Sequence, residues 1–402
     1  MRDTPFDYID RPEALSELCD RLRAEGMFAL DMEFASERSY FPRLHLVQVA
    51  IKGYAALIDP VVLNDLEPFW DLVRDPDIRK ITHAGRQDGE IVYHRAGSAP
   101  KGWYDTQVAA ALLGMGDQIG YANLVSRMLG VRIKKTERVT DWSQRPLTDA
   151  QVRYALDDVL FLSEIYDRLE KDLAETGRKA WLVEELAIYQ EDDTYRRDPR
   201  RSWLRVSGKR SLDRRGLALL RELAAWREEE AVRRDSPRPR VVSDDVLVEI
   251  AGRRPRTVDD LRPLRRLHPR ERERSGAGLV EAVRLGMELP DDQLPLIPKA
   301  QPEDPGLSLV IHLMDVMLRL RAREHRIAPS YLGTQKVVRA LAEYLASGST
   351  DETEAPRLLH GWRQELVGND LVALFEGRVT LRVDPETREP VVERTDSIPE
   401  RI

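Results

Sequence analysis

Asp31 and Glu33 close an apolar run, MFALDMEF (27–34), whose composition reads as a β-strand. Residues i and i+2 of a strand face the same side, so the two carboxylates project together. Such a pair repels itself, and each member loses hydration at an apolar strand end. A divalent cation offsets both costs, because hard cations take oxygen ligands. Taken alone, Asp-x-Glu is more often a pair of loop-edge acids. A second acid, Asp88, lies in ITHAGRQDGEIVYH, where a short strand ends near His83 and a helix begins near Gly85. An acid in a first helical turn is favoured by the helix dipole whatever its chemistry. His83 reads as a packed or capping residue rather than a ligand. Tyr154 and Asp158, four residues apart on a helix, share a face. A phenol and a carboxylate so arranged could hold a water beside a metal.

The elements around these residues alternate strand and helix patterns up to about residue 190. Strands are expected at 27–34, 43–52, 54–60 and 79–84, and helices after Asp105, from Tyr121, and as one long run from Asp149 to Leu173. Thr148 with Gln151 forms a capping-box signature at the start of that run. Strands followed by interleaved helices predict a mixed sheet flanked by helices. From about Ser211 the pattern is helical, nothing in it suggests a sheet, and one helix is expected to be capped at Ser243-Asp244-Asp245. LPDDQLPLIPKAQPEDPG (289–306) reads as a linker between two helical units of similar size.

Composition narrows the function classes. Hydrophobic residues at 42% and charged residues at 33% allow a sizeable core under a charged surface. No apolar stretch approaches the roughly 20 residues of a membrane helix, and the acidic start lacks the basic-then-apolar pattern of a signal peptide. A cytoplasmic protein with no membrane partner is expected. The single Cys19 excludes an intrachain disulfide and an all-cysteine zinc cage. Net charge is −7, yet Arg196, Arg197, Arg200, Arg201, Arg205, Lys209, Arg210, Arg214 and Arg215 face only Asp198 and Asp213 between residues 195 and 215, a local charge of roughly +7. A second basic cluster spans 253–274. Charge runs are commonly solvated helix faces; two in one region tilt the reading toward a polyanion. Gly208-Lys209-Arg210 lacks the rest of a phosphate loop, and Gly114-Met115-Gly116 has its third glycine one position late for a dinucleotide loop, so no nucleotide cofactor is expected.

Acid pair, later acid and Tyr-x-x-x-Asp, in that order, resemble the DEDD exonuclease superfamily. The tyrosine indicates its DEDDy branch, since the histidine branch would carry His at position 153, here Arg153. Tyr40-Phe41-Pro42-Arg43-Leu44, Leu46-Val47-Gln48, His83-Ala84, Tyr104-Asp105-Thr106-Gln107 and Asp141-Trp142-Ser143-Gln144-Arg145-Pro146-Leu147 resemble the ribonuclease D family more narrowly. One departure is Gly89 after Asp88, where the family usually has a bulky aliphatic residue.

The resemblance implies an α/β, ribonuclease H-like exonuclease domain over residues 1–195. Two all-α HRDC units (helicase and RNase D C-terminal) would follow at 208–289 and 307–384, with a linker at 290–306 and a tail at 385–402. It further implies 3′→5′ hydrolysis of RNA, releasing nucleoside 5′-monophosphates, with tRNA precursors as the typical substrate and a monomeric enzyme. Asp31, Glu33, Asp88 and Asp158 would hold two divalent ions, Mg²⁺ or Mn²⁺, as in two-metal phosphodiester hydrolysis. Tyr154 would orient the attacking water, since a phenol with an ordinary pKa near 10 is a poor base at neutral pH. Phe34, Tyr40 and Phe41 would stack bases, or equally serve as core aromatics; Gln48, Arg196, Arg197, Arg200 and Arg201 complete the expected substrate contacts. Alternatives are a DNA-directed 3′→5′ exonuclease, disfavoured because no polymerase-length region follows, and an inactive nucleic-acid-binding module, disfavoured because every acid and the tyrosine are present.

Overall fold

The computed structural model describes residues 4–63, 65–133, 141–296 and 305–394. Its first part is a six-stranded sheet with helices on both faces. The strands are β1 (Phe6–Ile9), β2 (Met27–Ala35), β3 (Arg43–Ile51), β4 (Tyr54–Ile58), β5 (Arg79–Thr82) and β6 (Trp103–Asp105), in the order β1-β4-β3-β2-β5-β6. β2, β3 and β4 run antiparallel as a meander, while β1, β5 and β6 join by parallel pairing, so the sheet is mixed as expected. The two edge strands, β1 and β6, four and three residues long, were not read from the sequence.

Even-numbered β2 side chains, Leu30 and Met32, face one core with α1 (Pro12–Glu25), α2 (Glu67–Arg74) and the buried flank of α3 (Arg86–Ala96). The opposite side of the sheet packs against α4 (Thr106–Leu112), α5 (Tyr121–Leu129), α6 (Asp149–Asp157), α7 (Leu162–Glu175) and α8 (Lys179–Ala187). The long helix expected over 149–173 is two helices. A turn at 158–161 separates α6 from α7, and there Val159 and Phe161 turn into the core while the Phe161 amide donates to the Tyr121 hydroxyl.

A helical unit follows, built on Arg214–Arg233, Asp244–Arg253 and Pro269–Glu288 around its own core. Ser243 starts its second helix as expected, but its side chain makes no capping hydrogen bond. The last unit contains the helices Pro305–Glu324, Gln335–Ser347 and Asn369–Phe375. Its core is continuous with that of the exonuclease-like sheet: Trp181 of α8 stacks on Trp362 with centroids 4.7 Å apart, and buried Arg363 bonds Glu185 at 2.6 Å. The expectation of no sheet after Ser211 is corrected by an antiparallel hairpin of β7 (Val379–Val383) and β8 (Pro390–Arg394). Its first strand lies at the end of the unit read as helical and its second in the segment read as a tail. Of the expected linker and tail, residues 297–304 and 395–402 lie outside the described residues.

Candidate active site

The register of β2 sets up the acids. With Leu30 and Met32 buried on the far side, Asp31 and Glu33 must face α6. Asp31 lies opposite Gln48 and Glu33 opposite Leu46 on β3, and directly opposed residues of an antiparallel pair share a face. Just beyond Glu33 the register slips, leaving His45 as the extra residue of a bulge, a device that twists a strand and re-aims its end. Leu46 forms a small buried cluster with Leu57, Trp142 and Ala155. That cluster seats α6 across the acids.

α6 is fixed at its start. Thr148 and Gln151 make the reciprocal capping box the sequence predicts. Arg145 binds Asp59 at 2.5 and 2.8 Å and the carbonyls of His45 at 2.7 Å and Trp142 at 2.8 Å. Tyr8 donates a further hydrogen bond to Asp59. One guanidinium therefore ties the segment before α6 to β3 and β4. Tyr154 and Asp158 emerge one turn apart at the far end of α6. Oxygen atoms of Asp31, Glu33 and Asp158 come within 4.8 Å of one another, and the Tyr154 phenol hydrogen-bonds Asp158.

Asp88 stands outside that tight triad but is buried in the first turn of α3, near enough for Asp31, Asp105 and Glu33 to act on its charge. Two residues that sequence reasoning did not assign position it. Asp105, buried at the N-cap of α4, accepts from the amides of Ala84 at 3.0 Å and Gly85 at 2.9 Å, holding the turn that starts α3. Ala84 there has a left-handed φ of 57°, uncommon without glycine. Tyr195 explains the departure at Gly89: a Cβ on Gly89 would lie 2.2 Å from the Tyr195 hydroxyl, which donates to the Tyr189 carbonyl at 2.9 Å. The missing side chain makes room for a ring that braces α3 beside Asp88. Asp105 was visible only inside the family-like segment, and no local signal marks Tyr195. His83 is a packed residue, as read: its ring nitrogens meet Thr106 Oγ1 and the Ile119 carbonyl, both at 3.0 Å, and burial lowers its pKa to about 4.

Burial pushes Asp31 up to about 7. Glu33 rises to about 8 through burial and then Asp31. Asp158 rises to about 9 through burial, Asp31 and Glu33, against the opposing Tyr154 hydrogen bond. Asp88 moves well above the carboxylate range for the same reasons. Carboxyls held together at this cost are a hard-oxygen donor set that a divalent cation would satisfy, so the residues present fit such an ion. Tyr154 is raised too, first by burial and then by Asp158, Glu33 and Asp31, so its phenol keeps its proton at neutral pH.

The expected substrate residues are dispersed. Gln48 lies beneath the acids, fully buried, with neither amide atom hydrogen-bonded among the described residues. Phe34 packs against the far core. Tyr40 is buried: its hydroxyl donates to Glu228, which Arg238 also binds, and its amide donates to Asp235 at 3.0 Å. Tyr40 thus docks the loop after β2 onto the helix Arg214–Arg233. Phe41 packs on His94 with centroids 4.4 Å apart. Much of the basic run is paired: Arg196 with Asp193, Arg197 with Glu90, Arg200 with Glu222 at 3.7 Å and Arg215 with Asp291 at 2.5 Å. Within the second cluster Arg253, Arg262 and Arg266 meet Glu249, Asp259 and Asp245. Arg201, Arg205 and Arg210 are exposed without a carboxylate partner among the described residues.

Residues 6–174 match the family described as 3′-5′ exonuclease and residues 216–283 the HRDC domain. Curated relatives named ribonuclease D include that of Granulibacter bethesdensis, 40% identical over 379 residues that span 94% of each chain. That of Jannaschia sp. is 40% identical over 93% of this chain and 96% of its own. The crystal structure of Escherichia coli RNase D, described as an exoribonuclease involved in structured RNA processing, superposes with a TM-score of 0.81 at 31% identity, covering 92% of this chain and 99% of that one. Identity of this extent, end to end in both sequence and fold, makes the chain a 3′→5′ exoribonuclease of the ribonuclease D family.

Proposed function

We propose that this exoribonuclease trims the 3′ ends of structured RNA, tRNA precursors foremost, releasing nucleoside 5′-monophosphates, with Asp31, Glu33, Asp88 and Asp158 holding two divalent ions, Mg²⁺ or Mn²⁺. The observation that carries the reading is the approach of Asp31, Glu33 and Asp158 to within 4.8 Å in a setting that raises their pKa values to about 7, 8 and 9. When bound, such ions supply Lewis-acid stabilisation of the phosphoryl charge and a nucleophile at neutral pH. The chain's own residues do the rest. Met32 and Leu46 hold the acid-bearing strand rigid, Arg145 and the capping box fix α6, and Asp105 and Tyr195 fix Asp88. Tyr154 retains its proton and orients the attacking water through its bond to Asp158. Gln48, with an unpartnered amide beside Asp31, is suited to steer a phosphate oxygen or a water.

The 208–289 and 307–384 units act in this reading as HRDC modules that add RNA affinity, with Arg201, Arg205 and Arg210 the cations least engaged by carboxylates. The enzyme works as a cytoplasmic monomer without a nucleotide cofactor; among the described residues no helix is long and apolar enough to cross a membrane. The test is incubation of 5′-labelled RNA and matched DNA with Mg²⁺, Mn²⁺ or a chelator. A stepwise ladder from RNA that chelator abolishes is expected. Degradation unaffected by chelator, or of DNA alone, would overturn the reading.

A further inference from the structure

Two cavities adjoin beside the acidic site, and we propose that together they hold one unpaired nucleotide of the RNA upstream of the 3′ end, its base in the first and its phosphate in the second. The inference rests on the exonuclease reading above and adds a subsite to it. The first cavity, of about 420 Å³, is walled by Tyr40, Phe41, Tyr93, His94 and Tyr195 and closed by Val232 on the helix Arg214–Arg233. Its volume is within the range of small-ligand sites. The rings form one connected surface: Tyr93 stacks on Tyr195 at 5.8 Å, meets His94 at 5.5 Å, and His94 meets Phe41 at 4.4 Å. Such a surface accepts any base face. Of the two acids on its wall, Glu228 is already bonded to Tyr40 and Arg238, and exposed Glu229 is available to a base N–H.

The second cavity, of about 440 Å³, shares Phe41 and His94 with the first and adds Arg43, His45 and Arg95. Its one acid, Asp235, is bound by Arg43 at 3.2 Å and by the Tyr40 amide at 3.0 Å. Arg95 is exposed and has no carboxylate partner among the described residues. The cavity is therefore a net cationic cleft directly behind an aromatic one, the order in which a nucleotide presents phosphate and base. The aromatic cavity's own arginines, Arg196 and Arg197, are held by Asp193 and Glu90. Continuity with the cleavage site comes through α3. Asp88 lies in its first turn and His94 six residues on, about 9 Å along the helix. The loop after Glu33 delivers Tyr40 and Phe41 to the same place. A strand whose 3′ end meets the acids can pass its preceding residues along this wall.

The test compares wild type with Arg95→Ala and Tyr93→Leu in the full chain, using octa-adenylate RNA and Mg²⁺. Each variant should raise KM about tenfold or more and leave kcat unchanged, because neither residue contacts the acids. The slope of log KM against log salt should flatten by about 0.7 in Arg95→Ala, the value for one phosphate on a single strand. A single abasic position walked along the octamer should raise the wild-type KM at one register and have no added effect in Tyr93→Leu. If Arg95→Ala matches wild type in KM and salt slope while the octamer is still degraded, this subsite is refuted and the exonuclease reading stands. If wild type degrades no RNA with Mg²⁺ or Mn²⁺, that reading falls and the subsite with it.

Discussion

Replacing Asp31 with Asn should make the metal-free protein more stable at pH 8, through a gain that grows as the pH rises. The change keeps the shape of the side chain and deletes its charge. Burial lifts the Asp31 carboxyl from an ordinary 3.8 to about 7. Between those values the folded state holds a proton that the unfolded state has lost, so wild-type stability falls as pH climbs through the window. Three units at about 1.36 kcal/mol each set a ceiling near 4 kcal/mol. Part of that is screened by the solvent that reaches Asp31, and part belongs jointly to Glu33 and Asp158. A buried amide also forfeits about 1 kcal/mol or more if left unpaired. A net gain of about 1–2 kcal/mol at pH 8 remains, or roughly 2–8 °C in Tm for a domain of this size. Thermal unfolding in chelator at pH 4, 6 and 8 measures it: at pH 4 only the amide cost of about 1 kcal/mol is left, against the variant, and the balance shifts in the variant's favour toward pH 8. Adding Mn²⁺ should stabilise wild type and do little for Asp31→Asn, which should also lose nuclease activity. An Asp31→Asn protein less stable than wild type at pH 8 in chelator, or a gap independent of pH, would refute the reasoning.

Tyr154→Phe should lower kcat about ten- to a hundredfold with KM little changed, a milder loss than any acid substitution; a rate equal to wild type in single-turnover assays would remove the water-orienting role. Arg145→Ala strands Asp59, fully buried and bonded by that guanidinium, and should cost about 3–5 kcal/mol in chemical denaturation. Gly89→Ala sets a helix-propensity gain of about 1 kcal/mol against overpacking of about 1–3 kcal/mol on Tyr195; the expected net is destabilisation and a weaker Mn²⁺ dependence of rate, and a more stable, fully active variant would contradict the packing. Truncation after residue 306 should reduce the stability of the exonuclease-like part itself, because Trp181 and Glu185 lose Trp362 and Arg363; calorimetry with an unchanged Tm for that part would show the units to be independent.

What the sequence by itself determined was every relation carried by a local period. Strand alternation puts Asp31 and Glu33 on one face, a four-residue helical step aligns Tyr154 with Asp158, and Thr148-x-x-Gln151 starts α6. These hold because the repeat of a strand or helix is set by the backbone, whatever lies around it. Family-like segments extended that reading to Asp88 and to the activity. Tertiary structure decided the rest. Asp158 approaches Asp31 and Glu33 because Leu46, Leu57, Trp142 and Ala155 seat α6 across the sheet, and the carboxyls are raised first by the burial this packing imposes and then by one another's charge. Tyr40, read as a base-stacking or core aromatic, became a docking residue once Glu228 arrived from a helix 188 positions away. Gly89 looked like a weak point in a helix until Tyr195 filled the space. β1, β6 and the β7–β8 hairpin exist as partners, through hydrogen bonds to other strands. Burial, charge repulsion and strand pairing are properties of segments brought together by folding, and no window along the chain contains both members.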